Sequence, residues 1–246
     1  MKPSFNIYDP RRCQNRWVCY FDILGFKERL KRDGIVAAVH WYFQSREIVE
    51  SLIHKKTRLR LQCFSDTFLI YSSDDSAASF LQIEQAARWI VNLNLAKRIP
   101  LRGAVACGEV YIAEEDDIYI GNPLNEAYGH GENLNWIGFL LCRSATQRLT
   151  DLGLPPSRRL NYRRFKIPWT KKISGQKPLY AYLIGASSPR NGQNDYLEIL
   201  REMMPQAGNA KKKYQKIIDF LEQHGVLKIV EPTADKLVAK ARSVRV

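Results

Sequence analysis

Apolar and polar positions along the chain change their period several times, and each change marks an element. Trp17-Val18-Cys19-Tyr20-Phe21-Asp22-Ile23 is β-branched and aromatic and stops at Gly25, which predicts a buried strand ending in a carboxylate. From Lys27 to about His54, the apolar residues Leu30, Ile35, Val39, Phe43, Ile48 and Leu52 recur at helical spacing. Leu59, Leu61 and Cys63 then alternate with Arg58, Arg60 and Gln62, a half-buried strand. Ser65-Asp66 forms a tight hairpin to a partner strand, Phe68-Leu69-Ile70-Tyr71. Asp74 and Asp75 open a helix carrying Phe80, Ile83, Ala87, Ile90 and Leu93. Leu101 to Ile112 is a strand with Gly103 and Gly108 inside it, and the short strand Ile118-Tyr119-Ile120 ends at Gly121. A helix starts at Pro123, and the apolar run Trp136–Leu141 reads as a second buried helical piece.

Through Gly108 the order is β-α-β-β-α-β, the ferredoxin-like plan of an α+β fold with one antiparallel sheet. Beyond Pro155 the texture shifts to Arg158, Arg159, Arg163, Arg164 and Lys166, then Pro168 and a strand over Leu179–Ile184. A loop through Pro189-Arg190-Asn191-Gly192 follows, with helices near Asp195–Met204 and Lys211–His224. The 246 residues read as one domain, with a core over about 17–153 and a C-terminal strand and helical extension over about 154–230. A loose basic tail occupies about 231–246, and no internal repeat is visible.

Composition narrows the classes. With 45% hydrophobic and 26% charged residues, a largely disordered or low-complexity chain is excluded. The 38 Lys and Arg outnumber 25 Asp and Glu by 13, a field that favours polyanions: nucleic acid, acidic lipid or nucleotide phosphates. No apolar run approaches the roughly 18–20 residues that span a bilayer, and Met1-Lys2-Pro3-Ser4-Phe5-Asn6 lacks a signal-peptide core, so no membrane association and a cytoplasmic location are expected. The five cysteines form no CxxC pair. Cys19, Cys63, Cys107 and Cys142 lie among apolar neighbours, Cys13 in a polar start, and all read as reduced structural thiols.

In a ferredoxin-like sheet the first strand runs antiparallel beside the third, so the end holding Asp22 meets the start holding Asp66. One reading is two ordinary aspartates, a helix cap and a hairpin residue. The functional reading is a carboxylate pair that holds divalent metal against a triphosphate. Gly25 and Phe26, where the first helix begins, offer free backbone N–H groups to phosphate oxygens. An RNA-recognition module shares the element order, but its third strand carries a basic residue and spaced aromatics, whereas Asp66-Thr67-Phe68-Leu69-Ile70-Tyr71 begins acidic. A palm-like nucleotidyltransferase also sets two aspartates on such a core.

At these residues the sequence resembles the class III nucleotidyl cyclases. Phe21-Asp22-Ile23-Leu24-Gly25-Phe26 is similar to their first metal motif and Phe64-Ser65-Asp66 to their second. Leu101-Arg102-Gly103-Ala104-Val105-Ala106-Cys107-Gly108-Glu109 is similar to their glycine-bearing strand, and Gly121-Asn122-Pro123-Leu124-Asn125-Glu126-Ala127 to the segment with the transition-state asparagine. The spelling is closest to the bacterial anti-phage pyrimidine cyclases, the Pycsar cyclases, with Asn125-Glu126-Ala127-Tyr128, Trp136-Ile137-Gly138 and the Lys213-Tyr214 helix as further phrases.

The resemblance implies a cytoplasmic homodimer with sites across its interface and a Mn2+ or Mg2+ requirement. The implied product is cyclic UMP or cyclic CMP, which activates a separate effector during phage infection. It implies that Asp22, Asp66 and the backbone carbonyl of Ile23 hold metal, and that Asn125 orients ribose or phosphate from the partner subunit. Two positions depart from the purine cyclases: Gln62 replaces the base-reading lysine, and Ile118 the second base-reading residue. Gly129 stands where the transition-state arginine is expected. Arg102 is the candidate replacement, at the phosphates or at the base, with a salt-bridged strand end as the other reading. With Arg102 and Gln62 as donors and no carboxylate acceptor for the base, the expected substrate is UTP, with CTP as the alternative.

Overall fold

The computed structural model describes residues 9–53, 59–158, 161–169, 178–185 and 196–224. The expected loop at Pro189–Gly192 and the tail from Glu231 lie outside the described residues. Strand β1 is Cys13–Ile23, followed by helix α1 (Phe26–Leu52), β2 (Arg60–Phe64), β3 (Thr67–Tyr71), α2 (Ala77–Ala96) and β4 (Leu101–Ala113). The fold is the α+β, ferredoxin-like arrangement: β2, β3, β1 and β4 lie side by side, all antiparallel. β1 starts four residues before the apolar run because Cys13–Arg16 pair with Gly108–Tyr111, extending the ladder through polar residues.

Beyond the core come β5 (Ile118–Ile120), α3 (Asn122–Asn133), β6 (Gly138–Leu141), α4 (Arg143–Asp151), β7 (Tyr162–Phe165), β8 (Leu179–Tyr182), α5 (Tyr196–Met203) and α6 (Gly208–His224). β5 pairs with the end of β4, and the sheet continues past β4 as β6-β8-β7. The expected helical piece at Trp136–Leu141 is therefore corrected: Gly138–Leu141 is a strand, parallel to β4 and fully buried on both faces. A short apolar run fits a two-sided buried strand as well as a buried helix, and periodicity cannot separate them. β7 was hidden differently, because Arg163 and Arg164 interrupt its apolar pattern at the sheet edge, where charge is tolerated.

The sheet's two faces differ. Trp17, Cys19, Phe21 and Ile23 point to one face, where Phe80 of α2 meets Trp17 (ring centroids 4.8 Å) and Tyr42 of α1 stacks on Phe68 (5.8 Å). Val18, Tyr20 and Asp22 point to the other face, covered in part by α3. Beside them Phe64 and Tyr128 stay exposed, at 81% and 56%. No helix among the described residues is long and apolar enough to cross a membrane. No disulfide joins the cysteines. Cys19, Cys107 and Cys142 are buried, which pushes their thiols up, that of Cys107 to about 12. Cys13 and Cys63 are only half-buried.

Candidate active site

Asp22 is the penultimate residue of β1, opposite Thr67 on β3 and Arg102 on β4. The hairpin between β2 and β3 turns at Ser65, whose φ of 53° is left-handed, and Asp66 follows it. The Asp66 carbonyl accepts from the Ile23 N–H at 3.1 Å, which ties the hairpin to the end of β1. Asp22, Ile23 and Asp66 thus meet at one sheet corner. Asp22 is 5% exposed, and burial raises its carboxyl to about 7. Arg102 opposes that rise, whereas nearby Asp66 and Glu132 add to it.

The chain leaves this corner through Gly25, at φ 84°, a conformation that glycine adopts without strain. Phe26 then starts α1, and the first intrahelical bond runs from the Arg29 N–H to the Gly25 carbonyl. The N–H groups of Phe26, Lys27 and Glu28 precede it and have no acceptor within the helix, so they form an anion-receptive start next to the carboxylates.

Arg102 joins the two sides of the corner. Its Nε donates to Asp22 Oδ2 at 2.7 Å, its Nη2 to Glu132 Oε2 at 3.2 Å, and its Nη1 to the Glu132 backbone carbonyl. The Tyr20 hydroxyl donates to Glu132 Oε1 at 2.8 Å. The geometry matches the salt-bridged strand reading of Arg102, and one of its partners is the carboxylate expected to bind metal.

Asn125 lies in the first turn of α3 and is exposed, turned away from its own chain's core. Gln62 sits apart from the corner on β2, where its Oε1 accepts from the Tyr119 hydroxyl at 3.4 Å. Tyr119 is on β5 directly after Ile118, and its ring lies 6.0 Å from that of Tyr71. Gln62 thus meets β5 through Tyr119, the chain neighbour of Ile118, whereas Arg102 pairs with Asp22 and Glu132. Gly129 is followed on α3 by Gly131, where a Cβ would come 2.4 Å from the Tyr20 ring, so glycine there lets the helix approach the sheet.

The donor set fits a hard divalent cation. Asp22 and Asp66 offer carboxylate oxygens, and Asp22 Oδ1 takes no hydrogen bond from a described residue. Oxygen-only ligands at a corner with charge already partly balanced suit Mg2+ or Mn2+. A second cluster, Glu126, His130 and Cys142, brings its ligand atoms within 4.8 Å of one another. Glu126 there is committed to the start of α4, accepting from the Arg143 N–H at 3.1 Å and the Ser144 hydroxyl at 2.5 Å, so the cluster is a helix junction.

Sequence reasoning missed Glu132, Tyr20, Thr67 and Tyr119. Two carried a usable signal: Tyr20 is two residues before Asp22 on the same strand face, and Glu132 is seven after Asn125 on one helix stripe.

No protein-family model and no curated protein matches the chain. Solved structures do. The guanylyl cyclase domain of the RhoGC fusion protein from the aquatic fungus Blastocladiella emersonii, in a dimeric form, superposes with a TM-score of 0.53. The identity is 13%, over 69% of this chain and 96% of that one. A monomeric double mutant of that domain gives 0.53 at 12% identity, over 69% and 94%. The chain has the fold of class III cyclase domains.

Proposed function

We propose that the protein is a nucleotide cyclase that converts UTP to 3′,5′-cyclic UMP and pyrophosphate. The observation that carries this reading is the corner itself: Asp22 and Asp66 converge beside a helix start and a buried arginine, on a cyclase fold. Asp22, Asp66 and the Ile23 carbonyl would hold Mn2+ or Mg2+. When bound, the cation supplies Lewis acidity toward the ribose 3′-hydroxyl and neutralises charge on the phosphates.

The chain's own groups do the rest. The start of α1 at Gly25 and Phe26 receives phosphate oxygens. Arg102 adds the fixed positive charge that Gly129 cannot provide. Asn125, exposed on α3, reaches the site of a partner subunit and orients its ribose. The 3′-oxygen attacks the α-phosphorus as the bond to the β-phosphate oxygen breaks and pyrophosphate leaves, with the hydroxyl proton passing to water or phosphate. Holding the two reacting atoms together is worth orders of magnitude in rate.

Two features support the finer reading. With Gln62 Oε1 engaged by Tyr119, the amide N–H2 remains as a donor, which suits the O4 carbonyl of uracil and opposes the amino group of cytosine. An unmatched buried donor costs about 1–3 kcal/mol, roughly ten- to a hundredfold in specificity. Homodimerisation is supported by exposed Phe64 and Tyr128 on the face that carries the site. The place of the product as a signal to a separate anti-phage effector follows the resemblance to the Pycsar cyclases.

The test is incubation of the protein with each nucleoside triphosphate singly, with Mn2+, and identification of any cyclic product. Cyclic UMP should dominate, and Asp22→Ala or Asp66→Ala should abolish it. Dominant cyclic CMP would overturn the base assignment alone, and no cyclic product from any single triphosphate would overturn the cyclase reading.

A further inference from the structure

Arg102 makes more contacts with α3 than with the carboxylate it neutralises. Of its three donor contacts, two go to Glu132, through its side chain and its backbone carbonyl, and one goes to Asp22. Glu132 is held in turn by the Tyr20 hydroxyl, and the Tyr20 ring is fixed by the close approach of Gly131 and an edge contact with Tyr128 at 5.4 Å. The side chains of Arg102 and Asp22 are 12% and 8% exposed, so solvent does little to separate the charges. A divalent cation entering at Asp22 therefore meets a guanidinium 2.7 Å from the carboxylate, and that positive charge needs a second counter-ion close by.

We propose that Glu132 is a positioning residue that keeps the Arg102 charge balanced when a divalent cation takes up Asp22, and so sets the affinity of the carboxylate corner for metal. The inference rests on the metal assignment above. Glu132 acts through Arg102: with the carboxylate removed, Asp22 is the one ion-pair partner left to Arg102 among the described residues and yields to the cation at a cost. With Arg102 removed as well, that cost vanishes.

Mn2+ binding to the nucleotide-free protein at pH 8, by calorimetry or by the electron-spin signal of free Mn2+, tests this without any activity readout. Glu132→Gln should weaken Mn2+ by about ten- to a hundredfold, the range for losing a charged hydrogen bond. Arg102→Met binds Mn2+ more weakly than the unaltered protein at pH 8, because the proton on Asp22 then competes more strongly, so the comparison is made within that background, where Glu132→Gln should cost less than about threefold. Tyr20→Phe removes only the hydroxyl that holds Glu132 and gives the same pattern with smaller amplitude, which keeps the test open if Glu132→Gln folds poorly. Equal losses in both backgrounds would mean that Glu132 meets the cation directly, and would overturn the proposal, as would unchanged Mn2+ affinity in Glu132→Gln. Absence of Mn2+ binding by the unaltered protein would instead remove the metal assignment, and this inference with it.

Discussion

Replacing Arg102 with Met keeps the length of the side chain and removes its charge, leaving the Asp22 carboxyl buried with Asp66 and Glu132 nearby, its ion-pair partner gone and only the more distant Lys213 of α6 among the described cations felt there. The consequence depends on pH. The folded-state carboxyl of Asp22 titrates at about 7, above its ordinary value of 3.8, so its contribution to stability is complete at low pH and is lost as pH rises toward 7. Without Arg102 the folded-state value climbs further, and the loss continues beyond pH 7. At pH 5 both proteins keep the proton, and the variant lacks only hydrogen bonds, about 1 kcal/mol. Above pH 7 the gap widens by about 1.4 kcal/mol per pH unit, reaching about 3 kcal/mol at pH 8.5. That matches the lower end of the cost of breaking a buried ion pair, about 3–5 kcal/mol. For a chain of this length the melting temperature should fall by about 2–4 °C at pH 5 and about 6–12 °C at pH 8.5. Thermal and urea unfolding in the presence of a chelator, from pH 5 to 8.5, measure it. A gap that is constant with pH, or widest at pH 5, would refute the placement of Arg102 as the charge partner of Asp22.

The same titration should govern metal binding: Mn2+ affinity of the nucleotide-free protein should rise about tenfold per pH unit up to pH 7 and level off above it, because the proton on Asp22 competes with the cation. A Mn2+ titration series from pH 5.5 to 8.5 shows the break, and a pH-independent affinity would exclude Asp22 as a ligand. Asp66→Ala and Asn125→Ala subunits, each inactive alone, should regain activity when mixed, since each mixed dimer assembles one intact site. Mixed dimers confirmed by native mass spectrometry yet without turnover would rule out a site shared between subunits.

The parts of the molecule that follow from local pattern were legible in the sequence. Asp22 and Asp66 could be brought together because strand periods and a hairpin fix the first and third strands as antiparallel neighbours, and the register of Asp22 with Thr67 has that origin. Trp136–Leu141 was not legible, since an unbroken buried run of six residues carries no period that tells a strand from a helix. Glu132 escaped for another reason. Its spacing of seven from Asn125 marks a shared helix stripe, but its role comes from α3 lying across the sheet, a tertiary contact permitted by the missing side chain at Gly131. Arg102 shows the same limit: its strand position was readable, but its choice of Asp22 and Glu132 as partners was not.

Helix α3 has one further consequence. Asn125 stands in its first turn and Glu132 in its last, roughly 10 Å apart along the axis. The Glu132 end is fastened to the carboxylates of its own chain, and the Asn125 end faces outward, toward the ribose of the opposite subunit in the proposed dimer. A helix that short does not bend to absorb a displacement, so whatever moves Arg102 in one site also moves the asparagine offered to the other. In such a dimer the two halves would share a mechanical lever, so that filling one site would shift the asparagine presented to its twin.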